Sequence, residues 1–298
     1  MSRPILVFGA AGQLGREMLK LAEAREIEAV GLTRAEADIT DAVAVARAVA
    51  AVTPRLILNA AAYTAVDRAE SEPAEAGAIN SEGAGIVAGA AAVANVPVIH
   101  ISTDYVFDGT KTKPYVETDP IAPIGVYGKT KAEGEAKVRA AARRHVILRT
   151  AWVFGLFGNN FLKTMLRLAR SCDRLRVVAD QHGCPTSTVD IAEAVLAIDR
   201  AITASRTVCG TYHFAGSGAT SWHGFAERIV AAQAKTTGCK PPVEAIPTAD
   251  YPTLARRPAN SELDSSLFSS TFGYRAQAWQ TRTAETVACL LEQPEPLQ

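Results

Sequence analysis

Two pairs of polar residues have the types and spacing of a proton-transfer site. Tyr127 and Lys131 are four residues apart, so in a helix they lie on one face, one turn from each other. An ammonium beside a phenol favours the phenolate and lowers a phenol pKa whose ordinary value is near ~10. A hydroxyl from Thr103 or Ser102, at the end of an apolar run, can complete the site. This chemistry suits the protonation of a carbonyl oxygen.

A glycine-rich segment near the N-terminus predicts the other half of a reduction, a dinucleotide site. An apolar run over residues 3–8 leads into a G-x-x-G-x-x-G segment, and a helical pattern follows. Glycines permit a tight turn and a close approach of pyrophosphate, while the helix N-terminus offers N–H groups. A tight turn without a ligand is the alternative, but the strand before it and the helix after it are the context that the motif requires. The predicted contacts are Gly9, Gly12, Gln13, Leu14 and Gly15.

The residues after the second predicted strand, 28–32, indicate which dinucleotide binds. An NAD enzyme usually places an acidic residue there for the ribose 2′-hydroxyl, whereas an arginine accommodates a 2′-phosphate. This chain has Arg34, so we predict NADPH as cofactor, and the nearby Glu36 leaves NADH possible. Asp38 and Ile39 are placed to contact the adenine. Further cofactor contacts are predicted at Ala60, Ala61, Ala62, Tyr63, Tyr127 and Lys131.

Apolar runs of strand length alternate with helical patterns over the first half of the chain. Strands are predicted at residues 3–8, 28–32, 56–59, 96–101 and 145–149. This order predicts an α/β fold, a Rossmann-type doubly wound parallel sheet. The predicted dinucleotide-binding domain covers 1–155. A smaller C-terminal α/β substrate lobe covers 156–298 and is interleaved with it through a segment that returns at about 187–202.

Composition excludes several classes of protein. The formal net charge is +0, so there is no electrostatic footprint for nucleic acid or an anionic membrane. The five cysteines are scattered without C-x-x-C spacing, which argues against disulfides and structural zinc. No signal peptide is evident, and no apolar run approaches the ~20 residues that span a bilayer. We therefore predict a cytoplasmic protein that binds neither nucleic acid nor membrane.

Several segments together carry a family likeness that spans nearly the whole chain. They are residues 12–15, 59–67 with 69–70, 102–107, 127–131, 149–153, 159–161, 184–186 and 257–261. These segments resemble the extended short-chain dehydrogenases/reductases and, more narrowly, the dTDP-4-dehydrorhamnose reductase family. Tyr-x-x-x-Lys alone occurs throughout the superfamily. The segments around Trp152, Asn160 and Arg257 are what narrow the likeness.

The resemblance implies that NADPH reduces the C4 ketone of dTDP-4-dehydro-L-rhamnose to give dTDP-L-rhamnose, the last step of dTDP-rhamnose synthesis. Tyr127 would protonate the developing alkoxide, and Lys131 would lower the Tyr127 pKa and hold the nicotinamide ribose. Trp152 would lie against the deoxysugar ring, unless it is a core residue, and the segment Arg256-Arg257 would receive the diphosphate. The substrate contacts implied are Thr103, Asp104, Tyr105, Tyr127, Trp152, Asn160 and Arg257, with Thr103 also catalytic.

One departure from the family concerns a metal. Some members hold magnesium with carboxylates at a dimer contact, and Glu17 matches them. The segment 187–189 has no carboxylate where another is needed, and Asp190 falls on a different side of the helix. We therefore predict no metal, and a monomer or weak homodimer.

Two other functions stay open from the sequence. One is another nucleotide-sugar reductase or epimerase of the same family, which Arg34 and the Trp152 segment oppose. The other is a non-catalytic regulatory subunit that binds NADP, which the intact Tyr127, Lys131 and Thr103 oppose because a binding role does not require them.

Overall fold

The computed structural model describes residues 3–204 and 208–292; residues 205–207 and 293–298 of the predicted second lobe lie outside this part. A six-stranded parallel sheet forms its centre, in the order β2-β1-β3-β4-β5-β10. Its strands are β1 (Ile5–Phe8), β2 (Ala29–Leu32), β3 (Leu56–Asn59), β4 (Val98–Thr103), β5 (His145–Thr150) and β10 (Gly210–His213). The predicted Rossmann-type parallel sheet is confirmed.

Helices cover both faces of the sheet, as a doubly wound fold requires. The helices of the first half are α1 (Gln13–Ala24), α2 (Ala42–Val52), α3 (Val66–Ala69), α4 (Pro73–Gly77), α5 (Ala84–Val93) and α6 (Val126–Ala141). A π-helical segment, Ala78–Gly83, joins α4 to α5. Helices α2, α5 and α6 pack on one face. Helix α1 packs on the other face together with two later helices.

The second half of the chain forms the smaller lobe and returns twice to the main sheet. Its remaining elements are β6 (Val153–Phe154), α7 (Phe161–Ser171), β7 (Leu175–Val178), β8 (His182–Gly183), β9 (Thr186–Ser187), α8 (Thr188–Thr203), β11 (Thr220–Ser221), α9 (Trp222–Thr237), β12 (Val243–Ile246), α10 (Ser266–Phe272) and α11 (Trp279–Glu292). Helix α8 packs against α1, and β10 pairs with β5. The returning part of the chain therefore extends beyond 187–202 to include 210–213. In the described residues no helix is long and apolar enough to cross a bilayer.

Candidate functional site

The carboxyl ends of the neighbouring strands β1 and β3 form a crevice. The chain passes from β1 to β2 on one side and from β3 to β4 on the other side, so the two connections diverge. Ligands of open parallel sheets bind at such a switch point. Gly9 has a φ of +82°, and a Cβ there would lie 2.6 Å from Ala61 N. A Cβ on Gly15 would lie 2.3 Å from the Gly9 carbonyl oxygen. Both positions thus require glycine, as the dinucleotide motif predicts.

A cleft of about 240 Å³ opens at this point. Eight of the predicted cofactor residues line it: Gly9, Gly12, Arg34, Asp38, Ile39, Ala60, Ala61 and Ala62. Ala11, Ala37 and Ile79 also line it. Helix α1 starts at this cleft with no side-chain cap and no acidic residue in its first turn. Its first N–H groups are therefore available to a pyrophosphate, and the residues present fit a dinucleotide.

The other predicted cofactor residues outside the Tyr–Lys pair support the turn. The Leu14 side chain packs in the core. Gln13 accepts a hydrogen bond from Asn160 Nδ2 (3.0 Å), and the Tyr63 hydroxyl donates to Glu72. Contacts from Gln13, Leu14 or Tyr63 to a dinucleotide would therefore come from the backbone.

Arg34 lies at the cleft with its guanidinium largely exposed. Its Nε donates to Asp38 Oδ2 (3.0 Å), and Glu75 is 3.7 Å away. These carboxylates raise the Arg34 pKa, chiefly through the hydrogen bond to Asp38. Glu36 instead accepts hydrogen bonds from the Thr33 backbone and hydroxyl, both at 2.8 Å, and does not line the cleft. Glu36, the acidic residue that would favour NADH, is thus bound to the backbone and side chain of its own loop and does not face the cleft.

Tyr127 stands at the start of α6, beside the end of β4. Its hydroxyl lies next to that of Thr103, which lowers the Tyr127 pKa and is the last residue of β4. The Thr103 hydroxyl also donates to Asp104 Oδ1 (2.9 Å). Tyr105 packs edge-on against Tyr127, with ring centroids 5.6 Å apart. The structure therefore brings together Thr103, Tyr127 and the predicted substrate residues next to Thr103.

The pKa of Tyr127 differs from the sequence-based prediction. Burial raises it to about 12, although the interaction with the Thr103 hydroxyl opposes this and the Asp104 charge adds to it. The lowering effect of Lys131 that the sequence predicts is not among the causes of this shift. Burial also raises the pKa of Asp104 to about 6, against the hydrogen bonds from Ser261 and Thr103. The phenol is therefore a protonated donor at neutral pH.

Lys131 lies one turn after Tyr127 and is buried. Its ammonium donates to the Ile101 carbonyl oxygen (2.7 Å) and is 3.5 Å from His100 Nε2. Burial lowers the Lys131 pKa to about 8, while the charge of Glu135 acts in the other direction. His100 is a core histidine with a strongly lowered pKa, caused by burial and then by Lys131. An ammonium has three donors, so Lys131 keeps N–H groups for a ligand.

Ser102 takes no part in the phenol site. Its hydroxyl donates to Glu135 Oε1 (2.6 Å) on α6. Arg149 binds the same carboxylate with both Nε (2.8 Å) and a terminal nitrogen (2.7 Å). Arg139 adds a further bond at 2.7 Å. Of the two hydroxyls that the sequence offered, Thr103 alone faces Tyr127.

Two positioning residues were missed by the sequence reasoning. Asn80, in the π-helical segment, accepts from Tyr63 N (2.9 Å) and donates to Thr130 Oγ1 on α6 (3.2 Å). Glu70 accepts from Val126 N (2.8 Å) and so caps α6 from outside. Both join the loop after β3 to the helix of Tyr127. The one available signal was Ala69-Glu70 within the family-like segment, since π-helical turns leave no sequence pattern and occur often at functional sites.

Trp152 and Asn160 lie where the smaller lobe meets the crevice. Trp152 follows β5 with a φ of +45° and stacks on Trp222, ring centroids 3.5 Å apart. Asn160 caps α7 by accepting from Lys163 N (3.1 Å) and donates to Gln13 and the Gly155 carbonyl oxygen. Asn160 thus joins the lobes, and this geometry does not support the substrate contact predicted for it.

Arg257 bridges the lobes from the other side. One terminal nitrogen donates to Asp67 Oδ2 (2.8 Å), while its NH1 is buried with no hydrogen-bond partner in the described residues. Its charge lowers the pKa of Tyr105, but the stronger effect of burial raises it. An unsatisfied guanidinium nitrogen is costly when buried, so this position suits an anionic ligand.

The residues of the metal prediction are engaged in other bonds. Glu17 accepts from Thr188 Oγ1 (2.9 Å) between α1 and α8. Asp190 is bound by Arg282 (2.8 Å) and by the Tyr274 hydroxyl (2.9 Å). In residues 3–204 and 208–292 no group of three or more His, Cys, Asp or Glu could hold a metal ion. All five cysteines are free thiols.

A larger cavity of about 570 Å³ lies next to α10, between Pro114, Cys184 and Arg275. It contains none of the residues predicted for the cofactor or the substrate. Its polar lining is mostly serine with Glu262 and Asp264. The predicted cofactor residues line the smaller cleft and not this cavity.

The parallel sheet, the glycine-lined cleft and the adjacent Tyr–Lys pair define a class, the Rossmann-type reductases and epimerases. The family model described as RmlD substrate binding domain matches residues 2–291. The dTDP-4-dehydrorhamnose reductase of Sinorhizobium fredii is 46% identical over 289 residues, 96% of this chain and 97% of the relative. That of Aggregatibacter actinomycetemcomitans is 47% identical over 280 residues, 93% and 95%. The crystal structure of the Bacillus anthracis enzyme in complex with NADP aligns with a TM-score of 0.89 at 33% identity, over 97% of this chain and 99% of that chain. The chain belongs to the dTDP-4-dehydrorhamnose reductase family.

Proposed function

We propose that the protein reduces the C4 ketone of dTDP-4-dehydro-L-rhamnose with NADPH to give dTDP-L-rhamnose. The observation that carries the proposal is the placement of the Tyr127 phenol next to Thr103, on the same sheet edge as a cleft lined by the glycine turn. The names of relatives at 46% and 47% identity support the substrate. The Tyr–Lys pair supports affiliation to the extended short-chain dehydrogenases/reductases. The cytoplasmic location and the oligomeric state stay predictions.

The bound cofactor would supply hydride to C4 of the sugar. Tyr127 would give its proton to the ketone oxygen as that oxygen becomes an alkoxide, and Thr103 would orient the phenol. Lys131 would keep one donor on the Ile101 carbonyl oxygen and offer others to the nicotinamide ribose and the phenolate. A nearby ammonium stabilises a phenolate, so Lys131 would act on Tyr127 after the phenol has given up its proton.

The substrate would span the crevice between the lobes. Trp152 would offer an apolar surface to the deoxysugar, with Asp104 and Tyr105 close to the reacting end. The free nitrogen of Arg257 would bind the diphosphate, since guanidinium matches phosphate oxygens. Arg34 would hold the 2′-phosphate of NADPH with the nitrogens that Asp38 leaves free.

The test is NADPH oxidation with dTDP-4-dehydro-L-rhamnose by wild type and Tyr127→Phe. We expect kcat to fall by about 10²–10⁴-fold in the variant, because general acid catalysis contributes that much, with NADPH binding retained. Wild type that binds NADPH but does not oxidise it with this sugar would refute the function. Full activity of Tyr127→Phe would refute only the role of the phenol. Tyr251→Phe, which removes an exposed phenol outside the site, is the matched control.

A further inference from the structure

The indole of Trp152 is held in an unusual backbone conformation. Its φ of +45° lies in the left-handed region, which a bulky side chain rarely adopts because its Cβ crowds the backbone. Such a conformation persists only where the surroundings enforce it. Whatever enforces it also sets the position of the indole that the proposed function places against the sugar.

The indole of Trp152 contacts that of Trp222, the first residue of α9. The two indoles stack with centroids 3.5 Å apart and planes 5° from parallel. Phe161 packs on Trp222 with centroids 4.6 Å apart. Both indoles remain partly exposed. Trp222 therefore connects the half-buried Trp152 to the aromatic core of the smaller lobe.

Trp222 itself is fixed by the backbone around it. The Ser221 hydroxyl caps α9 by accepting from Gly224 N (3.1 Å). Strand β11, which ends at Ser221, pairs antiparallel with β8. Strand β8 ends at Gly183, where a Cβ would lie 2.5 Å from Cε2 and 2.6 Å from Nε1 of Trp152. One local structure thus supplies the stacking partner and the space that Trp152 needs.

The stack is connected to the proton-transfer residues. The same Cβ on Gly183 would lie 2.8 Å from the Ser261 hydroxyl, and Ser261 is close enough to Asp104 to lower the pKa of that carboxyl. Asp104 in turn accepts from Thr103. Trp152 is therefore a few contacts from the hydroxyls of the site, so a shift of its indole changes the space beside them.

We propose that Trp222 is a positioning residue that sets the enzyme's affinity for the deoxysugar by holding Trp152 in its left-handed conformation. The inference rests on the proposed function, since it assigns Trp152 to the sugar. It predicts that Trp222 acts on sugar binding through Trp152 and has little effect on the NADPH cleft.

The experiment is a double-mutant cycle on steady-state kinetics, with Trp222→Leu, Trp152→Ala and the double variant. A stacked aromatic pair is more stable than an apolar contact of the same area by up to about tenfold in the equilibrium constant for forming the contact. We expect Trp222→Leu to raise KM for dTDP-4-dehydro-L-rhamnose about tenfold, with KM for NADPH within about twofold. In the Trp152→Ala background, Trp222→Leu should have no further effect on the sugar KM. Trp222→Phe, which keeps a ring, should recover most of the affinity.

Two further variants separate positioning from general weakening of the lobe. Gly183→Ala pushes on Trp152 while leaving Trp222 intact, and we expect it to raise the sugar KM as Trp222→Leu does. Phe225→Leu, in the same helix and aromatic cluster, should lower Tm with an unchanged sugar KM. Additive effects in the cycle, or equal KM changes for sugar and NADPH, would overturn the inference. Wild type without turnover would instead refute the proposed function.

Discussion

The buried carboxylate of Glu135 makes a sharp prediction about stability, because two arginines bind the same oxygen in different surroundings. Arg149 and Arg139 both lie 2.7 Å from Glu135 Oε2. The side chain of Arg149 is 2% exposed and that of Arg139 is 36% exposed. Burial alone would raise the Glu135 pKa, but the hydrogen bonds and charge of Arg149, then Ser102 and Arg139, hold it below its ordinary value.

Arg149→Met should therefore cost about 3–5 kcal/mol of unfolding free energy, since it removes the buried partner and leaves the Glu135 charge with only the partly exposed Arg139 as counter-ion. Arg139→Met should cost at most about 1 kcal/mol, because a partly exposed pair is screened by solvent. Urea unfolding at pH 7, with the m value fitted for each variant, measures both. Equal costs for the two variants would show that burial does not decide the strength of this pair.

The pH dependence of that cost has a defined sign. In wild type the lowered Glu135 pKa gives stability above the ordinary carboxyl pKa, and this stability is lost as the pH falls through the folded-state pKa. In Arg149→Met the Glu135 pKa rises, so the protonated carboxyl is tolerated in acid and the penalty grows with pH. We expect a smaller cost at pH 4 than at pH 7. Replacing the set together, Ser102→Ala, Glu135→Leu and Arg149→Met, should recover a large part of the loss.

Two further predictions concern the ends of the cleft. Arg34→Ala should raise KM for NADPH about 10–100-fold and leave KM for NADH nearly unchanged, because it removes charged hydrogen bonds to the 2′-phosphate. Equal changes in KM for both cofactors would contradict that contact. Asp104 has a folded-state pKa of about 6 against an ordinary value near ~3.9, so its contribution to stability falls as pH rises between these values. The unfolding free energy of Asp104→Asn should therefore rise relative to that of wild type by up to about 3 kcal/mol between pH 4 and pH 7. Urea unfolding measures this, and parallel pH profiles for the two proteins would contradict the raised pKa of the buried carboxyl.

Local signals in the sequence predicted the sheet and the cofactor cleft. Apolar runs and turn residues predicted the parallel strands. Helix α2 likewise begins after Asp41, a residue type that favours the N-cap, and Asp41 accepts from Val43 N (2.8 Å) and Ala44 N (3.1 Å). The glycine spacing predicted the turn at Gly9. Each of these features depends on residues that are close in sequence, so the pattern contains the information.

Features that depend on distant partners were not predicted. Strand β12 has no strong apolar pattern and exists by pairing with β7. Trp222 is 70 residues from Trp152 in the sequence, and nothing local marks them as a pair. The predicted strand 96–101 is Val98–Thr103 in the structure, because the sheet continues past the apolar run into two hydroxyl residues whose partners lie on α6.

Those two hydroxyls show how one strand and one helix serve both stability and chemistry. Ser102 reaches Glu135 in the body of α6, while Thr103, at the end of β4, lies next to Tyr127 at the start of that helix. On α6 the spacing of four continues from Tyr127 and Lys131 to Glu135, and it places them on one face. The Glu135 charge raises the Lys131 pKa against the effect of burial. Neutralising Glu135 would therefore lower the Lys131 pKa further below about 8. It follows that Arg149, by keeping Glu135 ionised, also keeps the lysine of the proton-transfer site charged near neutral pH.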